Sequence, residues 1–122
     1  MERSDAYICG QIFAEYEYLQ YRALGATNRT VGDSYFAAMM SHPARVVPAL
    51  EAKAHHHLGR LRRNQPGAFV FISRRFAELN ESLSAKSYPS ALRLEQQAEF
   101  VLGYHAARYN HLNRPQKETE ND

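Results

Sequence analysis

Apolar residues return every three or four positions along most of this chain, and almost nowhere do they alternate one by one. From Asp5 to Leu24, Ile8, Cys9, Ile12, Phe13, Tyr16, Leu19 and Ala23 share one face at helical spacing, with Gln11, Glu15, Tyr18 and Arg22 opposite. Ser4 stands where an N-cap belongs and Gly25 where a helix stops. A shorter helix is predicted over Val31 to Ser41, capped by Thr30, with Asp33 in its first turn and Tyr35, Phe36, Met39 and Met40 turned inward. Pro43 closes it. The third helix runs from about Ala44 to Arg63 on a stripe of Val47, Leu50, Ala54, Leu58 and Leu61. Pro48 interrupts its hydrogen bonding, which predicts either a start near Val47 or a kink.

The run "FVFI" at 69 to 72 suits a strand by propensity, but Phe69, Ile72, Phe76, Leu79 and Leu83 keep a 3.6-residue period and predict a fourth helix over 68 to 83. "SAKSYPS" reads as a loop. A last helix over about Leu92 to Leu112 is expected to bury Leu94, Ala98, Val101, Leu102, Tyr109 and Leu112, with His105 in the same stripe. The expected fold is therefore all-α, a compact bundle of about five amphipathic helices. The domain reading is one helical-bundle domain over 1 to 114 and a short polar tail over 115 to 122.

The chain has 122 residues and one cysteine, Cys9, so no internal disulfide supports the fold. No apolar run approaches the roughly 20 residues of a membrane span, and "MERSDAY" does not read as a signal peptide. These features predict a cytoplasmic protein. The net charge of +2 conceals a division: residues 43 to 76 hold seven Lys or Arg against Glu51, which is +6 and leaves −4 for the remainder. Twelve of the 15 basic residues are arginine, whose planar fork suits phosphate or carboxylate.

The centre of that basic segment reads "AHHHLGRLRRN". Adjacent helical positions point about 100° apart, so His55, His56 and His57 do not converge on one ion, and no further histidine lies three or four residues from them. Glu51 with His55, and Glu95 with Glu99, share faces at i, i+4, yet the second Glu-x-x-His element of a di-metal bundle is missing. No metal and no cofactor are expected. Gly-x-Ser-x-Gly, His-Glu-x-x-His and Walker-type loops are likewise absent from the sequence, and Cys9 has no basic neighbour, so no catalytic residue is assigned. Gly10, Gly59 and Gly103 read as close-packing points within helices.

The cations, by contrast, organise. Arg45, Lys53, His56, Arg60 and Arg63 fall within an arc of about 80° on the third helix, opposite its apolar stripe. Arg62 flanks them, and Arg74 and Arg75 follow on the fourth helix. A one-sign face of this kind points to nucleic-acid backbone. A helical protein-interaction module, whose arginines meet carboxylates, and a helix-turn-helix regulator are the alternative readings.

Four stretches carry a family resemblance: "AYICGQIFA" (6 to 14), "NRTVGDSYFAAMMSHPARVVPAL" (28 to 50), "HHHLGRL" (55 to 61) and "YPSALRLEQQAEFVLGYHAAR" (88 to 108). In this order they resemble the C-terminal region of the large subunit of type I-C CRISPR Cascade complexes. A free chain beginning with Met at this boundary is similar to the Cascade small subunit, which the resemblance implies is made from an internal start in the large-subunit gene. His105 and Ala107 stand where the family pattern has a tyrosine and a glutamine, and the tail after Pro115 lies outside the resemblance. The resemblance implies a helical bundle without catalytic activity or small-molecule substrate. Its implied partners are the large subunit, the backbone subunits, another copy of itself, the guide RNA and the target DNA, with the displaced strand of the R-loop held in place.

Overall fold

The structure is a computed structural model that describes residues 3–25 and 30–113. Five helices make up the fold: α1 (Asp5–Leu24), α2 (Thr30–Ser41), α3 (Pro43–Asn64), α4 (Pro66–Ser82) and α5 (Leu94–Asn113). No strand occurs among the described residues. The tail over 115 to 122 lies outside them, as does the side chain of Thr30.

The helix ends follow local chemistry. The Ser4 hydroxyl accepts from the Tyr7 N–H at 3.2 Å and starts α1, while Gly25 at φ +99° ends it with its N–H on the Tyr21 carbonyl. A buried side chain caps α2: Gln20 Oε1 accepts from the Val31 N–H at 3.0 Å. Pro43 occupies the first turn of α3, where its missing N–H costs nothing. The helix continues through Pro48, so it does not begin near Val47; Ala44 and Pro48 are both exposed, which leaves the unbonded Ala44 carbonyl to water. Gln65 alone separates α3 from α4. Its amide accepts from Arg22 Nη2 at 2.6 Å and donates to the Arg22 carbonyl at 3.1 Å, tying this turn to the end of α1.

α1 is the central helix. It packs against each of the other four, while around it α5 touches α2, α2 touches α3, and α3 touches α4. Paired residues give the directions. Gln20 meets Val31 and Phe13 meets Phe36, while Arg22 meets Gln65 and Glu15 meets Arg75, so α2 and α4 run against α1. Tyr7 abuts Gly103 and Tyr18 stacks on His111, so α5 runs with it. The ring of outer helices is open between α4 and α5, which share no contact although residues 83–93 connect them. That loop is fastened below: the Leu92 N–H donates to the Ser41 carbonyl, the Ala44 N–H to the Pro89 carbonyl, and Ser84 to the Asp5 carboxylate.

Two departures from the sequence pattern follow from this layout. Glu15, expected on the wet face of α1, is fully buried, because a central helix has almost no wet face. The phase of α5 is also reversed. Phe100, Gly103, Tyr104 and Ala107 are buried, whereas Leu94, Leu102, Tyr109 and Leu112 are 80, 63, 65 and 76% exposed and Ala98 and His105 are exposed with them. The buried arc lies about 160° from the one the apolar pattern marks. The cause is close approach. A methyl group on Gly10 would collide with the Phe100 carbonyl oxygen, and one on Gly103 with the Tyr7 carbonyl oxygen, so the two backbones touch where both glycines meet. Phe13, Phe36, Phe100 and Tyr104 close the core beside this crossing at ring separations of 5.0 to 6.2 Å. Gly59 is different, since only Arg63 Nη1 at 3.7 Å lies near the place of a side chain there; it is not a packing point.

Candidate nucleic-acid interface

α3 is held to the bundle by Val46, Val47, Leu50, Ala54 and Leu61, all buried. That anchorage fixes the rotation of the helix and so fixes which side chains reach water. Arg45, His56, Arg60 and Arg63 are exposed, and Lys53 is half-buried with its ammonium 5.9 Å from the Tyr35 ring of α2. The strip therefore leans toward α2 and spans about 27 Å from Arg45 to Arg63 at 1.5 Å per residue. Arg62 points to the other side, 5.9 Å from the Phe69 ring of α4. Glu51, the one acid of α3, is set about 160° round from the centre of the strip, where it helps burial raise the Tyr88 phenol to about 12.

Among the described residues Arg45, Lys53, Arg60, Arg62, Arg63 and Arg74 take part in no ion pair. Arg74 is exposed on α4, yet it shares that face with Glu78 and Glu81 one and two turns on. Arg75 belongs elsewhere. It is partly buried, with Nε 3.8 Å from Glu15 Oε2 and Nη1 3.6 Å from Glu78 Oε1. The structure thus gathers Arg45, Lys53, His56, Arg60 and Arg63, turns Arg62 away from them toward α4, and separates Arg74 and Arg75 from them.

The histidine triplet divides as helical geometry requires. The His55 and His56 rings meet edge to face at 6.2 Å and are open to water. His57 is half-buried, and its pKa is lowered first by burial and then by Lys53 and His56. His56 is thus the member of the triplet that stands exposed on the strip. No three His, Cys, Asp or Glu side chains converge among the described residues.

Two polar clusters escaped the sequence pattern because each needs distant helices to meet. In the opening between α4 and α5, Glu15, Arg75, Ala107, Asn110 and His111 line a cleft of about 220 Å³. His111 Nε2 lies 2.7 Å from Glu15 Oε2, and its ring stacks on Tyr18 at 4.0 Å. Across α1, the Tyr104 phenol donates to Glu17 Oε1 at 2.7 Å and accepts from Arg108. Burial and the Glu17 carboxylate push this phenol up to about 12. Both clusters brace α5 on α1.

The described family of CRISPR-associated proteins, Cas_Csd1, matches residues 1–111 of this chain. The chain belongs to the Cas_Csd1 family. No curated protein matches it at a significant level. The Cas_Csd1 match takes in all five helices to within two residues of the end of α5, and with them every residue of the basic strip. No helix among the described residues of this Cas_Csd1 chain is long and apolar enough to cross a membrane.

Proposed function

We propose that this chain is a non-catalytic small subunit of a CRISPR Cascade complex of type I-C, holding nucleic-acid backbone through the outer face of α3 without reading its sequence. The observation that carries the reading is the strip itself. Arg45, Lys53, Arg60 and Arg63 lie along one rigid helix over about 27 Å, unpaired, in a chain of a CRISPR-associated family. An exposed run of cations on a smooth helix face makes contacts to phosphates, and it presents no fork of donors shaped to a base edge.

In RNA-guided recognition the exchange of one duplex for another is nearly balanced in energy, so a few phosphate contacts to the displaced strand tip it toward the open R-loop. His56 extends the strip, while Arg62 on the α4 side of the same helix and Arg74 on α4 add charge beside it. Arg75 serves the bundle through Glu15. The same reading takes the large subunit, the backbone subunits and a further copy of this chain as protein partners, and guide RNA and target DNA as the nucleic acids.

Three to five phosphate contacts give a log-log salt dependence on single strands with a slope of roughly −2 to −3.5. Replacing Arg60, Arg62 and Arg63 together by alanine is expected to flatten that slope by about 2 and to slow R-loop formation. Binding and slope unchanged in the triple variant would sink the assignment. A sequence-selective footprint would instead support a regulator, which distinguishes one site from others by orders of magnitude.

A further inference from the structure

Residues 114–122, "RPQKETEND", are accounted for by neither the fold nor the family, since the described structure stops at 113 and the family match at 111. Their charge is ordered. Arg114 and Lys117 come first, and Glu118, Glu120 and Asp122 follow at every second position with no cation among them. Residues 118–122 therefore carry −3, in a chain whose strongest cationic feature is the strip on α3.

Where α5 ends decides what this segment meets. Tyr18 stacks on His111, and one turn later Arg22 holds Gln65 at the turn after α3, so α1, α5 and α3 all end at the same end of the bundle. Arg60, Arg62 and Arg63 are the last cations of α3 there. All three are exposed, and none takes part in an ion pair among the described residues. The negative end of α3 and the uncapped positive end of α4 meet beside them and offset each other, which leaves the guanidinium charges to set the local field.

The distance is within reach. α3 and α5 both touch α1 without touching each other, so two interhelical spacings put their axes roughly 16–20 Å apart. An extended chain covers about 3.3 Å per residue, which carries Glu118 up to roughly 17 Å and Asp122 up to roughly 30 Å from Asn113. In extended form, acids at alternate positions face one way at steps of about 7 Å.

We propose that Glu118, Glu120 and Asp122 engage Arg60, Arg62 and Arg63, so that the chain's own acidic segment occupies the near end of the basic strip in place of phosphate. Exposed ion pairs are individually weak, and three of them bias the strip toward the covered form by about three- to tenfold. A polyanion with more charges therefore displaces the segment, whereas a brief encounter with a few phosphates does not. The segment thus sets a threshold for strand binding. Its regulatory consequence rests on the nucleic-acid reading of the strip, but the contact itself does not.

The two are tested apart. A nitroxide on Asn121→Cys, in the full chain without nucleic acid, is expected to broaden the backbone amide signals of residues 60–64; the buried native Cys9 leaves the labelling selective. The broadening should fade between about 20 mM and about 0.5 M salt, as screening shortens from roughly 20 Å to roughly 4 Å, and it should be absent in a labelled chain that also carries E118Q/E120Q/D122N. In the second measurement E118Q/E120Q/D122N, without the label, is expected to bind a mixed-sequence single-stranded oligonucleotide about three- to tenfold more tightly than wild type at 50 mM salt. E81Q/E95Q/E99Q removes the same charge from exposed positions toward the other end of the bundle, and should change affinity less than twofold. Combined with R60A/R62A/R63A, the tail substitutions should lose their effect. No broadening at residues 60–64, or broadening indifferent to salt and to the tail substitutions, overturns the contact. Tail substitutions that tighten binding no more than E81Q/E95Q/E99Q overturn the competition. Broadening as expected in a chain that binds no strand in any form supports the contact and overturns the nucleic-acid reading instead.

Discussion

Replacing Gly103 by alanine tests the contact on which the arrangement of α1 and α5 depends. An added Cβ would collide with the Tyr7 carbonyl oxygen and come within 2.8 Å of the Tyr7 carbonyl carbon. The obstacle is main chain in the first turn of α1, so no side chain can swing aside and the helices must part. Alanine brings back about 1 kcal/mol of helix propensity. Against that stand overpacking of about 1–3 kcal/mol and the voids opened beside Cys9, Phe13 and Phe100 as the helices separate, each lost methylene-sized contact adding about 1 kcal/mol. The net expectation is a loss of about 2–4 kcal/mol, or a melting temperature lower by roughly 10 °C in a domain of this size. Gly59→Ala is the matched control: the same chemistry in α3, with open space at the new methyl, is expected to raise stability by about 0.5–1 kcal/mol. Urea unfolding followed by circular dichroism measures both. If Gly103→Ala proves within about 0.5 kcal/mol of wild type, or if Gly59→Ala costs as much, the close-approach argument is wrong.

Three further outcomes follow from the buried polar groups. Burial, with Asp5 nearby, pushes the Cys9 thiol up to about 12, so at pH 8 a thiol reagent is expected to modify it no faster than the protein opens; prompt stoichiometric reaction contradicts this. His57 holds its proton less tightly folded than unfolded, so the unfolded chain takes up more protons as pH falls below its ordinary value of 6.5, and stability declines with it; His57→Gln should reduce that decline in pH-dependent melting, and an unaltered profile speaks against it. His111→Ala leaves the Glu15 carboxylate buried with only the Arg75 guanidinium at 3.8 Å, at an expected cost of about 3 kcal/mol, and adding Glu15→Gln should recover at least half of it in a double-mutant cycle, whereas strict additivity would show that the two side chains do not interact.

Four of the five helices were legible in the pattern of apolar residues, with ends correct to within two residues, because caps and prolines mark them: Ser4, Gly25, Pro43 and Pro66 each do in the structure what their chemistry dictates. α5 was legible in extent but not in orientation. A period count follows the large aliphatic residues, and here the buried arc is built from two aromatics, a glycine and an alanine, chosen for how near they let a neighbouring backbone come. Glu15 was misread for a related reason, since it lies on a helix surrounded by four others and faces inward whatever its polarity. The α3 strip was visible because its members share one helix and only the rotation of that helix matters. The pairing of Arg75 with Glu15, which removes an arginine from the basic surface, depends on α1 meeting α4 and leaves no mark at fixed spacing.

Placing the first helix at the centre also decides when this chain can fold. α1 leaves the ribosome before anything that covers it, and its crossing partner Gly103 is synthesised more than ninety residues after Gly10. Until α5 arrives, the Gly10 side of α1 has no apolar cover, and the other helices form a ring round a core with one wall missing. Folding of this subunit is therefore a late event in its synthesis, governed by long-range contacts in spite of its wholly helical make-up, and a nascent chain stalled before α5 is a client for chaperones rather than a smaller stable version of the protein.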